Sequence, residues 1–324
     1  MAAKKSARRE AVVNVTTITR EQWLEYRRSG IGGSDASTIV GLNPFSSSYY
    51  LYCEKVGALP EKEDTEAMRQ GRDLEQYVAE RWMERTGKRV KRNNTMWRST
   101  IWPWMLADID REIVGENAGL ECKTTSLYNK HDFAGGEIPL TYYVQCQHYM
   151  AVMGFERMYL AVLVLNRGFY DFVIERDEEE ISALAVAEGE FWERLQREEP
   201  PELDGSDATQ NALRQMYPEE DSGLELMLPK DAAAELAQYQ HIQEAILDLQ
   251  NERDAIKART MARMGAAALG FTDGLSCSWV TRKRTGVDTA ALKRDCPEIY
   301  KKYLKTTEYR VFSVKERKIG RAHV

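Results

Sequence analysis

Residues 119–125 read GLECKTT. Gly119 opens the stretch and it stops near Thr125, which predicts a short strand over 119–124. Side chains alternate along a strand, so Glu121 and Lys123 point to one face. A carboxylate beside an ammonium in a half-buried place is costly unless something there uses both. Taken alone, the two also read as an ordinary strand-surface ion pair, which is common and weak. Their surroundings have to decide.

Immediately upstream, LADID (106–110) falls in another expected strand, residues 105–110, with Asp108 and Asp110 on one face. The loop 111–118 lets that strand turn back and pair with 119–124, placing a carboxylate opposite Glu121. Two or three carboxylates converging with one lysine make poor packing. They make a reasonable Mg²⁺ site, because hard cations take oxygen ligands. Such an ion lowers the pKa of bound water and steadies charge on a phosphate oxygen. The lysine can orient or deprotonate the attacking water and neutralise the phosphate. Asp108 as ligand with Asp110 in a turn is the alternative.

Working outward, the period shifts between two and 3.6. Strands are expected at 88–91, 95–102, 158–165 and 168–175. Helices are expected at 20–28 behind Thr19, from Ser34 as cap to Val40, and at 46–57, 65–86, 140–153 and 178–197. That order predicts a mixed α/β sheet flanked by helices. A linker rich in Asp, Glu and Gly follows, then a long helix over 229–264, whose apolar residues at 236–256 repeat at coiled-coil-like spacing. A strand at 275–282, a short helix from Thr289 and a basic end complete the chain.

The net charge of −6 over 324 residues excludes a bulk polycation, so any nucleic acid must be held by a local basic groove or through metal ions. Five cysteines without a CxxC pair argue for reduced thiols in a cytosolic protein, against a disulfide scaffold or zinc site. No run of about 18 apolar residues occurs, so no membrane span is expected. His131 and His148 lie far apart without further ligands and read as satisfied or surface histidines. The last six residues, IGRAHV (319–324), match the translation of a common sequencing adapter.

Asp110, a short gap and then Glu121-Cys122-Lys123 resemble the D…(D/E)xK signature of the PD-(D/E)xK nucleases. Within that superfamily, four further segments resemble the lambda-exonuclease or YqaJ-like viral recombinase family in order: RSGIGGSD (28–35), GRDLE (71–75), LADID (106–110) and YYVQCQHYM (142–150). The likeness spans about residues 15–200. It implies a PD-(D/E)xK restriction-endonuclease-like mixed β-sheet core flanked by helices, with a helical C-terminal extension. The expected organisation is a flexible basic lead-in (1–17), the nuclease domain (18–202), an acidic linker (203–228) and an accessory region with a long helix and basic end (229–318).

The resemblance implies Asp110, Glu121 and Lys123 as catalytic residues. Glu75, Asp110, Glu121 and the backbone carbonyl of Cys122 would be ligands of Mg²⁺, with Mn²⁺ able to substitute. Arg28 and Ser34 resemble the anchor for a DNA 5′-phosphate, and a serine at a helix start behind glycines suits an anion. Their tight spacing leaves Arg27 as the alternative. Gln145, Gln147 and Tyr149 would support the site. Arg111 departs from the glycine that many relatives carry after the aspartate. The implied activity is resection of linear double-stranded DNA from 5′ ends in a bacterial cytoplasm, encoded by phage or prophage. The implied partners are a single-strand annealing protein and further copies of the chain in a homo-oligomer. The rival readings are a structure-specific or RecB-like endonuclease with the same site, and a non-catalytic DNA-binding scaffold. Intact Asp110, Glu121 and Lys123 speak against the scaffold.

Overall fold

The computed structural model describes residues 8–61, 64–128 and 131–315; the adapter-like 319–324 lie outside them. The chain divides into two units, Met1–Tyr217 and Pro218–Val324. The first opens with strand β1 (Arg9–Asn14) and helix α1 (Arg20–Arg28). A two-residue strand, β2 (Ile31–Gly32), runs into α2 (Gly33–Ile39), followed by α3 (Ser48–Lys55) and α4 (Glu66–Thr86). Five strands come next: β3 (Val90–Arg92), β4 (Thr95–Ser99), β5 (Met105–Ala107), β6 (Arg111–Ile113) and β7 (Ala118–Thr125). Helix α5 (Leu140–Met153) crosses to β8 (Arg157–Val164) and β9 (Gly168–Glu175), and α6 (Glu178–Gln196) and α7 (Asp207–Met216) finish the unit.

Local chemistry sets many of these ends. Thr19 and Gln22 form a capping box that starts α1. Thr65 caps α4, and Gly87 ends it at φ 71°, a left-handed turn that glycine adopts without strain. On α4 only Val78, Ala79 and Trp82 are buried, on one face against β7 and β8.

A mixed five-stranded sheet carries the order β3-β6-β7-β8-β9. β7 and β8 run parallel from Ala118↔Arg157 to Thr125↔Val164, and the crossover between them is α5. Covered on both faces, β8 reads as a nearly continuous apolar run, RMYLAVLV. A second sheet has the order β1-β4-β5-β2. α5 packs between the two sheets, so residues Gln145 to Met153 are buried all round.

Several expectations change. The lead-in is not loose throughout, because Arg9–Asn14 pairs antiparallel with β4 and covers its open edge. LADID is not one strand: Met105–Ala107 belongs to the second sheet and Arg111–Ile113 to the first, so Asp108 to Asp110 cross between them. Ser34 is not the cap of α2, since the helix already begins at Gly33 and the Asp35 carboxylate accepts the Gly32 N–H at 3.0 Å. The expected acidic linker contains α7, whose Thr209 and Ala212 are buried because this turn is amphipathic and packs near α3.

The second unit holds α8 (Ala232–Met264), a hairpin of β10 (Leu269–Thr272) and β11 (Leu275–Ser278), and the short helices α9 (Thr289–Asp295) and α10 (Pro297–Tyr303). The strand expected over 275–282 stops at Ser278. No residue of α8 is buried.

One glycine sets a close approach. A Cβ on Gly33 would lie 2.6 Å from the Tyr149 ring and 3.1 Å from Gln145 Cγ. Gly33→Ala is therefore expected to lower stability by about 1–3 kcal/mol through overpacking, read by urea unfolding. An unchanged midpoint would mean that α2 and α5 separate freely.

Candidate active site

The site is built at the end of β7. Glu121 is buried, and Lys123, two residues on, reaches the same face, with its Nζ 2.7 Å from Glu121 Oε1. The same oxygen accepts the Gln145 amide from α5 at 2.8 Å. Gln145 also donates to the Tyr149 hydroxyl, 3.1 Å away and one turn further along the helix. Glu121 Oε2 is buried with no partner among the described residues.

Asp110 arrives by the crossing between sheets. Pairing of Arg111 with Leu120 sets it beside β7, where its Oδ2 accepts the Cys122 N–H at 2.7 Å. Burial pushes the Asp110 carboxyl well above the usual carboxylate range, and the charges of Glu121 and Glu75 push it further. Burial also raises Glu121, against the pull of Lys123. Burial would lower Lys123, but Glu121 and Asp110 outweigh it and hold the ammonium charged, above its ordinary value. The Lys123 ammonium lies 5.4 Å from the centre of the Tyr142 ring.

Glu75 stands differently from expectation. The buried Arg111 guanidinium donates to Glu75 Oε1 at 2.5 Å, to Gln76 Oε1 at 3.0 Å and to the Asp110 carbonyl at 2.7 Å. The arginine found in place of a glycine thus neutralises the helix-borne glutamate. Asp108 accepts the Trp23 indole N–H at 3.0 Å.

These residues fit an open cation site. Among the described residues no three His, Cys, Asp or Glu side chains converge into a ready cage. Mg²⁺ does not need one: it commonly takes one or two carboxylates and completes its shell with water and substrate phosphate. The unpartnered Glu121 Oε2 and the repulsion between Asp110 and Glu121 are what a cation would relieve.

A second cluster lies around α2. Arg27, not Arg28, reaches Ser34: its Nη2 is 3.0 Å from Ser34 Oγ and 2.7 Å from Asp35 Oδ1. Arg28 is exposed, although it lines the same cavity as Ser34, Arg27, Arg20, Arg72 and Trp23. Lys55 is buried and donates to Asp35 at 2.7 Å and to the carbonyls of Arg27 and Gly30 at 2.8 and 2.7 Å. Burial works against the Asp35 carboxylate, but Arg27 and Lys55 together hold it below its usual range. A lowered folded pKa adds stability above the unfolded value near 3.9, and that stability is lost as pH falls through the folded pKa. Asp35→Asn should leave Lys55 buried and unpaired, cost about 3–5 kcal/mol, and remove this part of the acid sensitivity. Denaturant titrations from pH 7 to pH 3 read it, and a loss below 1 kcal/mol would refute it.

Gln147 does not join the site. Its amide donates to the Glu175 carbonyl at 2.9 Å and to Tyr143 at 3.1 Å, and its oxygen accepts the Asp177 N–H at 3.1 Å. It fastens the start of α6. Conversely, Tyr142, Trp23, Asp35, Lys55 and Arg111 belong to the two clusters beyond the residues the sequence pattern marks. Tyr142 was findable, one turn before Gln145 on the same helix face. Trp23 and Lys55 carry no local signal.

A family model, the YqaJ-like viral recombinase domain, matches residues 22–156. The uncharacterized protein YqaJ of Bacillus subtilis (strain 168) is 38% identical over 315 residues, 96% of this chain and 99% of the relative. Among solved structures, the alkaline exonuclease LHK-Exo from Laribacter hongkongensis is 20% identical with a TM-score of 0.46, over 55% of this chain and 93% of that one. A phage related exonuclease from Haemophilus somnus 129PT is 14% identical with a TM-score of 0.43, over 54% of this chain and 99% of that one.

Proposed function

Because the chain belongs to the YqaJ-like viral recombinase family, we propose that it is a phage-type DNA nuclease that uses Mg²⁺, or Mn²⁺ in its place, to resect linear duplex DNA from 5′ ends. The observation that carries this reading is the convergence of Asp110, Glu121 and a charged Lys123 at the end of β7. Asp110, Glu121 and the Cys122 carbonyl would hold the ion. When bound, it supplies a water of lowered pKa and neutralises charge on the scissile phosphate. Gln145 fixes the rotamer of Glu121, leaving Oε2 as its open acceptor. Lys123, with Nζ 2.7 Å from Glu121 Oε1, would donate to a phosphate oxygen and orient the water. Tyr142 confines the ammonium from the ring side.

Arg27 and the exposed Ser34 support a 5′-phosphate anchor, since a fixed guanidinium and a hydroxyl 3.0 Å apart suit a terminal phosphate. Arg28 sits on the same cavity wall. The exposed 3′ strand would then pass to a single-strand annealing protein. Among the described residues no helix is long and apolar enough to cross a membrane.

The test is cleavage with Mg²⁺ on three DNAs, with Lys123→Ala as control: linear with 5′-phosphate, linear with 5′-hydroxyl, and closed circular. Preferential loss of the 5′-phosphorylated linear DNA, abolished in the variant, is expected. Cutting of circles would replace the exonuclease by an endonuclease with the same site. No cleavage of any DNA would overturn the nuclease reading.

A further inference from the structure

The nuclease reading leaves one buried ionisable pair unused. His148 lies on α5 between Gln145 and Tyr149, yet its ring reaches neither carboxylate of the site. Nδ1 is 2.8 Å from Glu188 Oε1 on α6, and Nε2 is 2.8 Å from the Leu106 carbonyl on β5. Both residues are 0% exposed. Glu188 Oε2 has no partner among the described residues.

We propose that His148 and Glu188 form a charged clamp that ties α5 to β5 and thereby sets the spacing between the Gln145–Glu121 half of the site and the Asp108–Asp110 half. The proposal rests on the reading of Asp110, Glu121 and Lys123 as the active site. Leu106 is paired on both sides, with Gly32 and with Arg98, and the chain leaves the sheet after the next residue to deliver Asp108 and Asp110. The other end of that segment is pinned at Arg111 by its pairing with Leu120. Holding the Leu106 carbonyl therefore ties α5 to the sheet-borne end of the carboxylate-bearing crossing. The same ring fixes α5, which presents the Gln145 amide to Glu121.

Hydrogen-bond chemistry defines the charge state. A carbonyl oxygen only accepts, and so does a carboxylate. Both contacts of the ring are made with an ionised Glu188 only when both nitrogens carry protons; a neutral ring keeps them only if the proton has moved to Glu188. Burial opposes an imidazolium, but Glu188 outweighs it and raises the ring above the ordinary histidine value. Burial raises Glu188 as well, against the pull of His148. The other charges facing the pair are Asp35 of α2, which acts on both, and Lys55 of α3, which acts on Glu188. The Tyr149 ring stands edge-on, with centroids 6.0 Å apart. The clamp is complete below the raised pKa. Above it, one nitrogen presents a lone pair to an acceptor and the clamp opens. A buried ion pair stabilises little compared with apolar packing, so what it supplies here is a defined position.

The experiment compares wild type, His148→Gln and Glu188→Gln by steady-state cleavage from pH 6 to pH 10, and by ¹⁵N NMR of histidine-labelled protein. His148→Gln is expected to lower kcat by about 10²-fold at unchanged KM, the scale of a small misplacement of reacting groups. In Glu188→Gln the amide can donate to a neutral Nδ1 while Nε2–H keeps the Leu106 carbonyl. Wild type is therefore expected to show an alkaline decline in kcat that this variant lacks. The spectra should show two protonated ring nitrogens on His148 at pH 7 in wild type and one in Glu188→Gln. A single protonated nitrogen in wild type, or identical alkaline limbs in wild type and Glu188→Gln, would overturn the clamp. The spectra decide it even if wild type cleaves no DNA, an outcome that would overturn the nuclease reading instead.

Discussion

Lys123→Met is expected to lower Mg²⁺-dependent cleavage of linear duplex DNA by about 10³-fold, because it removes a charged donor aimed at developing phosphate charge. The Lys123 side chain is 23% exposed and that of Glu121 is 5% exposed, so the ammonium sits at the mouth of the site while its partner forms the wall. Charge in such a half-buried place is screened little. On the proposed mechanism the effect should fall on kcat, since the other residues proposed to hold DNA are unchanged. Glu121 keeps its hydrogen bond from Gln145 in the variant, so the strand end has no reason to collapse. Lys123→Arg keeps the charge but spreads it over a planar fork that must share space with the Tyr142 ring, so only partial activity should return. Single-turnover cleavage at saturating enzyme reads the chemistry directly. A loss smaller than tenfold would remove Lys123 from the mechanism.

Asp110→Asn should separate stability from activity. The asparagine oxygen can still accept the Cys122 N–H, so the local backbone is kept. What disappears is a negative charge that Glu121 and Glu75 repel. Without metal, the variant is expected to be at least as stable as wild type, while cleavage falls by about 10²–10³-fold. A folded carboxyl pKa raised above its unfolded value gives stability that is present below the unfolded pKa and lost as pH rises through the folded one. Metal-free wild type should therefore weaken as pH rises through that range, and the variant should weaken less, since only the burial-raised Glu121 still titrates there. Added Mn²⁺ should restore wild type by mass action, by about 2.7 kcal/mol at a hundredfold excess over Kd, and leave Asp110→Asn unmoved. Thermal unfolding with and without Mn²⁺ across pH reads both effects. Equal stabilisation of both proteins by the ion would place the cation elsewhere.

Parts of the site were legible because they depend on local geometry. Glu121 and Lys123 share a face because a strand repeats every two residues, and GLECKTT needs nothing else to place them together. Gln145 and Tyr149 meet because they lie one helical turn apart. The ends of α1 and α4 follow from Thr19, Gln22, Thr65 and Gly87. LADID was harder. Its alternation reads as one strand, but the chain changes sheets inside it, and which sheet a residue joins is settled by partners far along the chain.

The sequence by itself determined a mixed α/β core and the Glu121–Lys123 pair, because strand period, helix period and capping act over a few residues. Tertiary structure alone decided the rest. Arg27 rather than Arg28 meets Ser34 because the packing of α1 beside β2 turns only one of two adjacent arginines inward. Gln147 holds α6 instead of the site because α5 is buried from Gln145 to Met153 and its neighbouring glutamines face different partners. Glu75 is claimed by Arg111, and His148 by Glu188, across separations of 36 and 40 residues. Such pairings form where burial makes an unpaired charge too costly, and only the packed fold determines which charges are buried together.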